Sequence, residues 1–452
     1  MSSHSGCLGP IIDSIAAGLR VDNNPADIEQ DQQQGLSSCK CGFGDLQFQS
    51  PPFTSMSKSS YPARLQPLAQ EKEKPLINLH EEDTAEYPST LEDEIDRLSD
   101  DLREWSLKIF GYAEIAMKEF KTHDLIAQIF EQTPGWKVTR HAYGIQTAVE
   151  AIYTHGKGGR TVGFNSEMDA LPGIGHACGH PLICISGIAA AMATARLSKR
   201  PIPRLMHSPR VSLGLSNVTS WAVWWMLPML AISQVKVEYF GRNAHAAGAP
   251  WDGINALDAA VSAYTNISLL RQQIRPDERV HGIIQGSETC VSNVIPDYAW
   301  LRYDIRAPTK DGMEKLKARV MKCFQAASDS SGCRIKVEEE MVYADLVNNL
   351  PLAQEYHKYM ENVMGIAVPM DGPTLGSTDF GNVSYEVPSI HPIYAIPTLP
   401  GQGNHTRGFT KAAATEEAHD LTLKSAKGIA VTAWKVLADK SFAEEVHKAF
   451  KP

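Results

Sequence analysis

The chain lacks a basic stripe, no stretch of it reads as a membrane span, and it has too few cysteines to be a disulfide scaffold. Each absence removes a class of function. With 43 Lys and Arg against 52 Asp and Glu the net charge is −9, whereas a nucleic-acid partner asks for a basic face. The most apolar stretch, residues 221–232, is about a dozen residues long, short of the roughly 20 that a membrane helix needs. The first thirty residues show no basic region followed by an apolar one, so no secretory leader is expected. Eight cysteines in 452 residues are sparse for cross-linking. A reducing, cytoplasmic setting is the expectation, with no nucleic-acid partner and no membrane.

What is present is the composition of an ordinary globular protein, 43% hydrophobic and 21% charged. The length suggests two domains. Residues 1–89 are rich in Ser, Gln, Pro and Gly with no sustained apolar period and read as a disordered extension, with Met56 an alternative start. From Thr90 apolar residues at Ile95, Leu98, Leu102, Trp105 and Ile109 recur at helical spacing. A second helix is expected over 113–132, a strand over 161–164 and a tightly packed helix over 185–197, within a first domain spanning 90–233.

Residues 234–342 read as a separate module. A strand from Val235, helices over 254–270 and 311–328, and strands over 300–306 and 334–342 give a β-α-β-β-α-β-like order, an α+β sandwich. The strand from Val235 is expected to offer an edge to a second copy. Residues 343–452 return to the first domain and end in a helix over 415–438, capped by Thr415 with Glu416 and Glu417 in its positive first turn.

The densest polar information is Glu167-Met168-Asp169-Ala170-Leu171-Pro172-Gly173-Ile174-Gly175-His176-Ala177-Cys178-Gly179-His180. Glycines let the backbone bend so that separated side chains converge. Cys178 and His180, two apart, can face one metal from a turn. A thiolate with an imidazole suits zinc, and the carboxylates suit manganese equally well. A Gly-rich turn with incidental histidines is the bland alternative.

These residues carry a resemblance. Glu-Met-Asp-Ala-Leu-Pro followed by Gly-His-Ala-Cys-Gly-His is similar to the aminoacylase/carboxypeptidase-like metallopeptidases, in the branch of p-aminobenzoyl-glutamate hydrolase, auxin-conjugate hydrolases and Xaa-Arg dipeptidases. Ala244-His245-Ala246-Ala247 with Pro250-Trp251-Asp252-Gly253, Asn293-Val294-Ile295-Pro296-Asp297, Gly376-Ser377-Thr378-Asp379-Phe380-Gly381-Asn382 and Asn404-His405-Thr406 follow in the family's order. The resemblance implies an α/β catalytic domain holding one or two divalent ions, zinc or manganese, with an inserted α+β (ferredoxin-like) lid at 234–342 that makes a homodimer. It implies Cys178, His180 and His405 as metal ligands and Asp169 as the carboxylate that orients one of them. His245 is implied as a lid histidine that polarises the scissile carbonyl of a neighbouring site, and Asn293 as a lid residue that holds the substrate. Ser377, Thr378 and Asp379 line the pocket on this reading, or cap a helix.

The pattern breaks at one place. The family has a Glu-Glu pair some thirty residues after its Cys-Gly-His motif, the first a general base and the second a ligand, and a further histidine follows. Here no Asp or Glu lies between His180 and Glu238, and His207 is a faint echo of the histidine. A mis-spliced or frame-shifted reading of residues 198–230 accounts for this, as does a variant that has lost hydrolysis. Loss of a base removes a factor of about 10²–10⁴ in rate, and Glu167 is the spare carboxylate that can stand in for it. The expectation is a metal-dependent hydrolase of an amide or dipeptide bond in a small carboxylate-bearing substrate, working at least about a hundredfold below a member with the pair. A catalytically silent binding or scaffold protein that keeps the fold is the rival, and a nucleophilic enzyme based on Cys178 a distant third.

Overall fold

The computed structural model describes residues 86–156, 159–198, 210–215 (backbone), 228–286, 291–370 and 376–450. The sequence expectations that fall on residues 1–85, on His207 and on most of 198–230 lie outside them.

Three helices open the described chain: α1 Glu86–Arg97, α2 Ser99–Tyr112 and α3 Phe120–Gln132. α1 starts inside the expected extension, and Tyr87 packs 6.1 Å from the Trp434 ring. The helix expected over 113–132 is a turn followed by a shorter helix. Ala113 ends α2 in the left-handed conformation at φ 45°. The Glu114 carboxylate then accepts the backbone N–H groups of Lys121 and Thr122 at 2.9 and 3.0 Å. A side chain that satisfies the next helix's first donors from upstream makes the break favourable.

A mixed sheet follows, built from β1 Trp136–Arg140, β2 Val149–Thr154, β3 Thr161–Ser166, then, after α4 His180–Leu197, β4 Arg210–Leu215. Its order is β1-β2-β4-β3. β3 runs parallel to β4, and the other pairs among the described strands are antiparallel. α4 is apolar on every side, which removes the stripe from which a surface helix is recognised. It is apolar and long enough to cross a bilayer, yet 89% of it is buried inside the domain, so it is the central core helix. It begins at His180, five residues before the expected 185, because Gly179 turns at φ 85° immediately before it.

The lid is β5 Ala231–Phe240, α5 Ala256–Leu270, β6 Arg279–Gly286, β7 Tyr298–Ala307, α6 Lys310–Ser331 and β8 Arg334–Tyr343, in sheet order β6-β7-β5-β8 with every pair antiparallel. Val235, Val237 and Tyr239 are buried under the two helices with Leu301, Tyr303 and Phe324. The strand expected from Val235 starts at Ala231 and lies inside the sheet, between β7 and β8. The expectation that it offers an edge is therefore wrong: the edges are β6 and β8.

The chain returns through α7 Leu350–Asn362, α8 Phe380–Glu386, α9 Arg407–Ala413, α10 Glu416–Ala438 and α11 Lys440–Ala449. Thr415 caps α10 by accepting the Ala418 N–H at 3.2 Å. α10 packs on α4, α1 and α7. Lid and first domain are tied where the Lys310 N–H donates to Asp345 at 2.7 Å and the Arg306 guanidinium to Ser377 Oγ at 3.1 Å.

Candidate active site

β3 delivers the chain at Ser166 to Glu167 and Asp169, and α4 starts at His180 against them. The His180 ring is fully buried. Its Nδ1 donates to the Asp169 backbone carbonyl at 2.7 Å and lies 3.0 Å from the Asp169 carboxylate. Its Nε2 lies 3.1 Å from Glu167 Oε2. The two carboxylates thus face one imidazole from successive positions on the same side of an extended segment. Cys178 is buried, and its Sγ lies 3.0 Å from His405 Nε2. His405 is exposed and left-handed at φ 64°, a conformation uncommon for a residue with a Cβ. Its N–H is pinned by the Ala177 carbonyl at 2.9 Å, and Thr406 starts α9 by accepting from Phe409 N.

The charges follow from this geometry. Burial disfavours the His180 imidazolium, but Asp169, Cys178 and Glu167 outweigh it and raise the ring well above its ordinary value. Burial likewise pushes the Cys178 thiol up, and the hydrogen bonds of His180 and His405 bring it below the ordinary range. His176 turns away: its Nε2 donates to the Ile109 carbonyl at 3.0 Å, and burial lowers it to about 4, so it serves the fold.

The donor set tests whether a metal fits. Among the described residues no three His, Cys, Asp or Glu side chains stand in metal-holding positions, because the donors close on one another as hydrogen-bond and ion pairs. Their chemistry fits a divalent ion: one sulfur, two imidazoles and a carboxylate meet at one place, and binding would replace the protons that now hold the pairs. His180 Nε2 and Asp169 Oδ1 are buried without a contact of hydrogen-bond geometry. With Nδ1 held by Asp169, Nε2 is the ring atom left to ligate, the usual arrangement of carboxylate, histidine and metal.

The lid residues stand elsewhere. His245 and Asn293 are both exposed and neighbour each other across 48 residues of sequence: Ala246 N donates to the Asn293 carbonyl at 3.0 Å, and His245 bridges Val294. His245 Nδ1 accepts the N–H groups of Ala247 and Gly248 at 3.2 and 3.0 Å, which leaves Nε2 as the donor. Ser377 and Thr378 are buried, the first on Arg306 and the second accepting Phe380 N at 3.3 Å.

Of the two readings its motif allowed, pocket lining and helix capping, Asp379 takes the first. It occupies the N-cap position of α8 but makes no side-chain cap bond. Burial and the facing Glu167 push its carboxyl up to about 8, with Asp169 adding to the effect. Glu119, 0% exposed, is raised by burial and also senses Asp169. The one sequence signal for Asp379 was an acid inside the Ser-Thr-Asp-Phe motif, which a capping residue produces as well.

The comparisons with known proteins agree with this geometry. Residues 231–331 match the peptidase dimerisation domain. Mouse Xaa-Arg dipeptidase is 37% identical over 395 residues, covering 79% of this chain and 90% of that protein. A putative aminohydrolase structure from methicillin-resistant Staphylococcus aureus superposes with TM-score 0.63 at 17% identity, covering 77% of this chain and 100% of the other. A dinuclear metal binding peptidase of the M20 family from Bacillus subtilis superposes with TM-score 0.53 at 14% identity, over 76% and 99%. The chain belongs to the aminoacylase/carboxypeptidase-like (M20) metallopeptidases, in the branch that holds the Xaa-Arg dipeptidases, and is a metal-dependent hydrolase of amide or dipeptide bonds.

Proposed function

We propose that the substrate is a small dipeptide or acylated amino acid with a free carboxylate, of the Xaa-Arg kind, cleaved in the cytoplasm at the Cys178–His180–His405 site. The observation that carries this reading is the His180 ring held between Asp169 on one nitrogen and Glu167 on the other. Cys178, His180 and His405 hold one zinc or manganese ion per chain, since no carboxylate from residues 181–237 is there to complete a second site. When bound, such an ion polarises the scissile carbonyl and acidifies the attacking water.

The side chains do the rest. Asp169 fixes the His180 tautomer. Glu167 accepts the proton of the attacking water in place of the missing base and returns it to the leaving amine. His245 Nε2–H of a partner subunit donates to the carbonyl oxygen as negative charge develops there, and Asn293 beside it orients the substrate.

The dimer forms through the lid, where Ile283 on the edge strand β6 is 54% exposed. Light scattering at micromolar concentration is expected to give the mass of two chains, and a monomer would remove the role of His245. The function itself is tested on full-length protein stripped with chelator and reloaded with zinc or manganese. Release of arginine from Xaa-Arg dipeptides, or of amino acid from acyl derivatives, is expected with metal and absent without it. No turnover with either ion contradicts the proposal.

A further inference from the structure

Glu119 stands at the N-cap position of α3 and makes no side-chain cap bond there. The cap is not needed, because Glu114 already accepts the N–H groups of Lys121 and Thr122. The Glu119 side chain is spent inside the domain instead, 0% exposed. Its Oε1 accepts the Met117 N–H at 2.7 Å, and the hydroxyl of the buried Thr147 bonds the same carboxyl. Oε2 is buried without a contact of hydrogen-bond geometry. One oxygen therefore serves the local turn, and the other serves nothing in it.

The segment that carries Glu119 is stitched to the active site. Ala170 N donates to the Glu114 carbonyl at 2.7 Å, and Ile115 and Ala170 form a parallel bridge. Asp169 is the residue just before that bridge. Its charge acts on Glu119, and its own Oδ1 is a second buried acceptor without a contact of hydrogen-bond geometry. A buried acceptor that lacks a donor is costly, and here two neighbouring acids each carry one. A carboxylate offers no donor, whereas a carboxylic acid carries one O–H. Burial pushes the Glu119 carboxyl up, the Asp169 charge adds to this, and the bonds from Thr147 and Met117 oppose it without cancelling it. The acid form thus keeps the Met117 bond on one oxygen and has a proton to give from the other. Asp169 stands 3.0 Å from His180 Nδ1, so whatever fixes its rotation also fixes the ring.

We propose that Glu119 is a positioning residue: as a neutral acid it donates from Oε2 to Asp169 and so fixes the carboxylate that orients His180 for the metal. The inference rests on the metal-site reading above and extends that site to a side chain that touches neither metal nor substrate.

The test compares three variants of the full chain at a temperature where all are folded. Glu119→Gln keeps an acceptor for Met117 and gains a permanent donor toward Asp169. Glu119→Met keeps the size and loses both. Thr147→Val removes a bond of the same turn and leaves the donor in place. In a chelator competition Glu119→Met is expected to bind zinc about tenfold more weakly than the parent, the lower end of what losing an outer partner costs. Its kcat on an Xaa-Arg dipeptide should fall by a similar factor at unchanged KM. Glu119→Gln should match the parent in both, and Thr147→Val should lose only melting temperature. In zinc-free protein the ring nitrogen resonances of His180 should shift in Glu119→Met and hold in Glu119→Gln, a readout that needs neither metal nor turnover. Where Glu119→Met does not fold, Glu119→Asp, which withdraws the acid by one methylene, takes its place with the same expectations. Zinc affinity and His180 resonances equal to the parent's in Glu119→Met overturn the proposal. So does Glu119→Gln as impaired as Glu119→Met, because a donor is then not what matters, and so does Thr147→Val with the same losses, because the turn alone then explains them. Shifted His180 resonances in a chain that binds no zinc support the positioning role and count against the hydrolase reading.

Discussion

Asp379 brings a third carboxyl group toward Glu167 and Asp169, and burial together with their charge holds it protonated to about 8. In the unfolded chain the same group ionises near 3.8. A raised folded value means a contribution to stability that is complete below the unfolded value and is lost as pH rises toward the folded one. Asp379→Asn keeps the neutral shape without that penalty. In metal-free protein the variant and the parent should melt alike near pH ~4, and the variant's advantage should widen up to pH ~8 and then stay constant. An advantage that does not widen across that window contradicts the assignment. That Glu167 and Asp169 lie on one side could be read from sequence, because two acids separated by one residue on extended chain share a face. Asp379 was legible only as one of two alternatives, since an acid before a short helix looks the same whether it caps the helix or faces a pocket.

At the level of elements, three of the four lid strands and both helices were read, because those strands alternate and the helices carry one apolar stripe, whereas β6 was not placed. Asn255 and Thr309 cap α5 and α6 by accepting the N–H groups of Leu257 and Gly312 at 2.9 and 3.1 Å. Pairing was not legible: alternation tells that Val235 sits on a strand and says nothing of which strands flank it. The start of α4 was hidden for a different reason, since a helix buried all round has no period to read. α8 approaches the hinge from lid to first domain so closely that a Cβ on Gly381 would lie 2.0 Å from the Ala344 carbonyl oxygen. Backbone cannot yield as a side-chain tip can, so Gly381→Ala should destabilise the protein by about 1–3 kcal/mol in urea unfolding. An unchanged midpoint would show that α8 moves freely against the hinge.

For the whole molecule, the inserted lid could be read from sequence, because one pattern interrupts another there, and residues 231–331 match the peptidase dimerisation domain. The missing Glu-Glu pair was legible as an absence of acid over residues 181–237, and the structure adds His180 between two carboxylates, Asp169 on Nδ1 and Glu167 on Nε2. The claim at the centre of this account is that Glu167 is the proton acceptor in a metal-dependent amide hydrolysis. The direct measurement is kcat/KM for an Xaa-Arg dipeptide on zinc-loaded full-length protein, parent against Glu167→Gln, with zinc content determined on both. The account predicts a fall of at least about a hundredfold at equal zinc content. An unchanged kcat/KM at equal zinc content would contradict it.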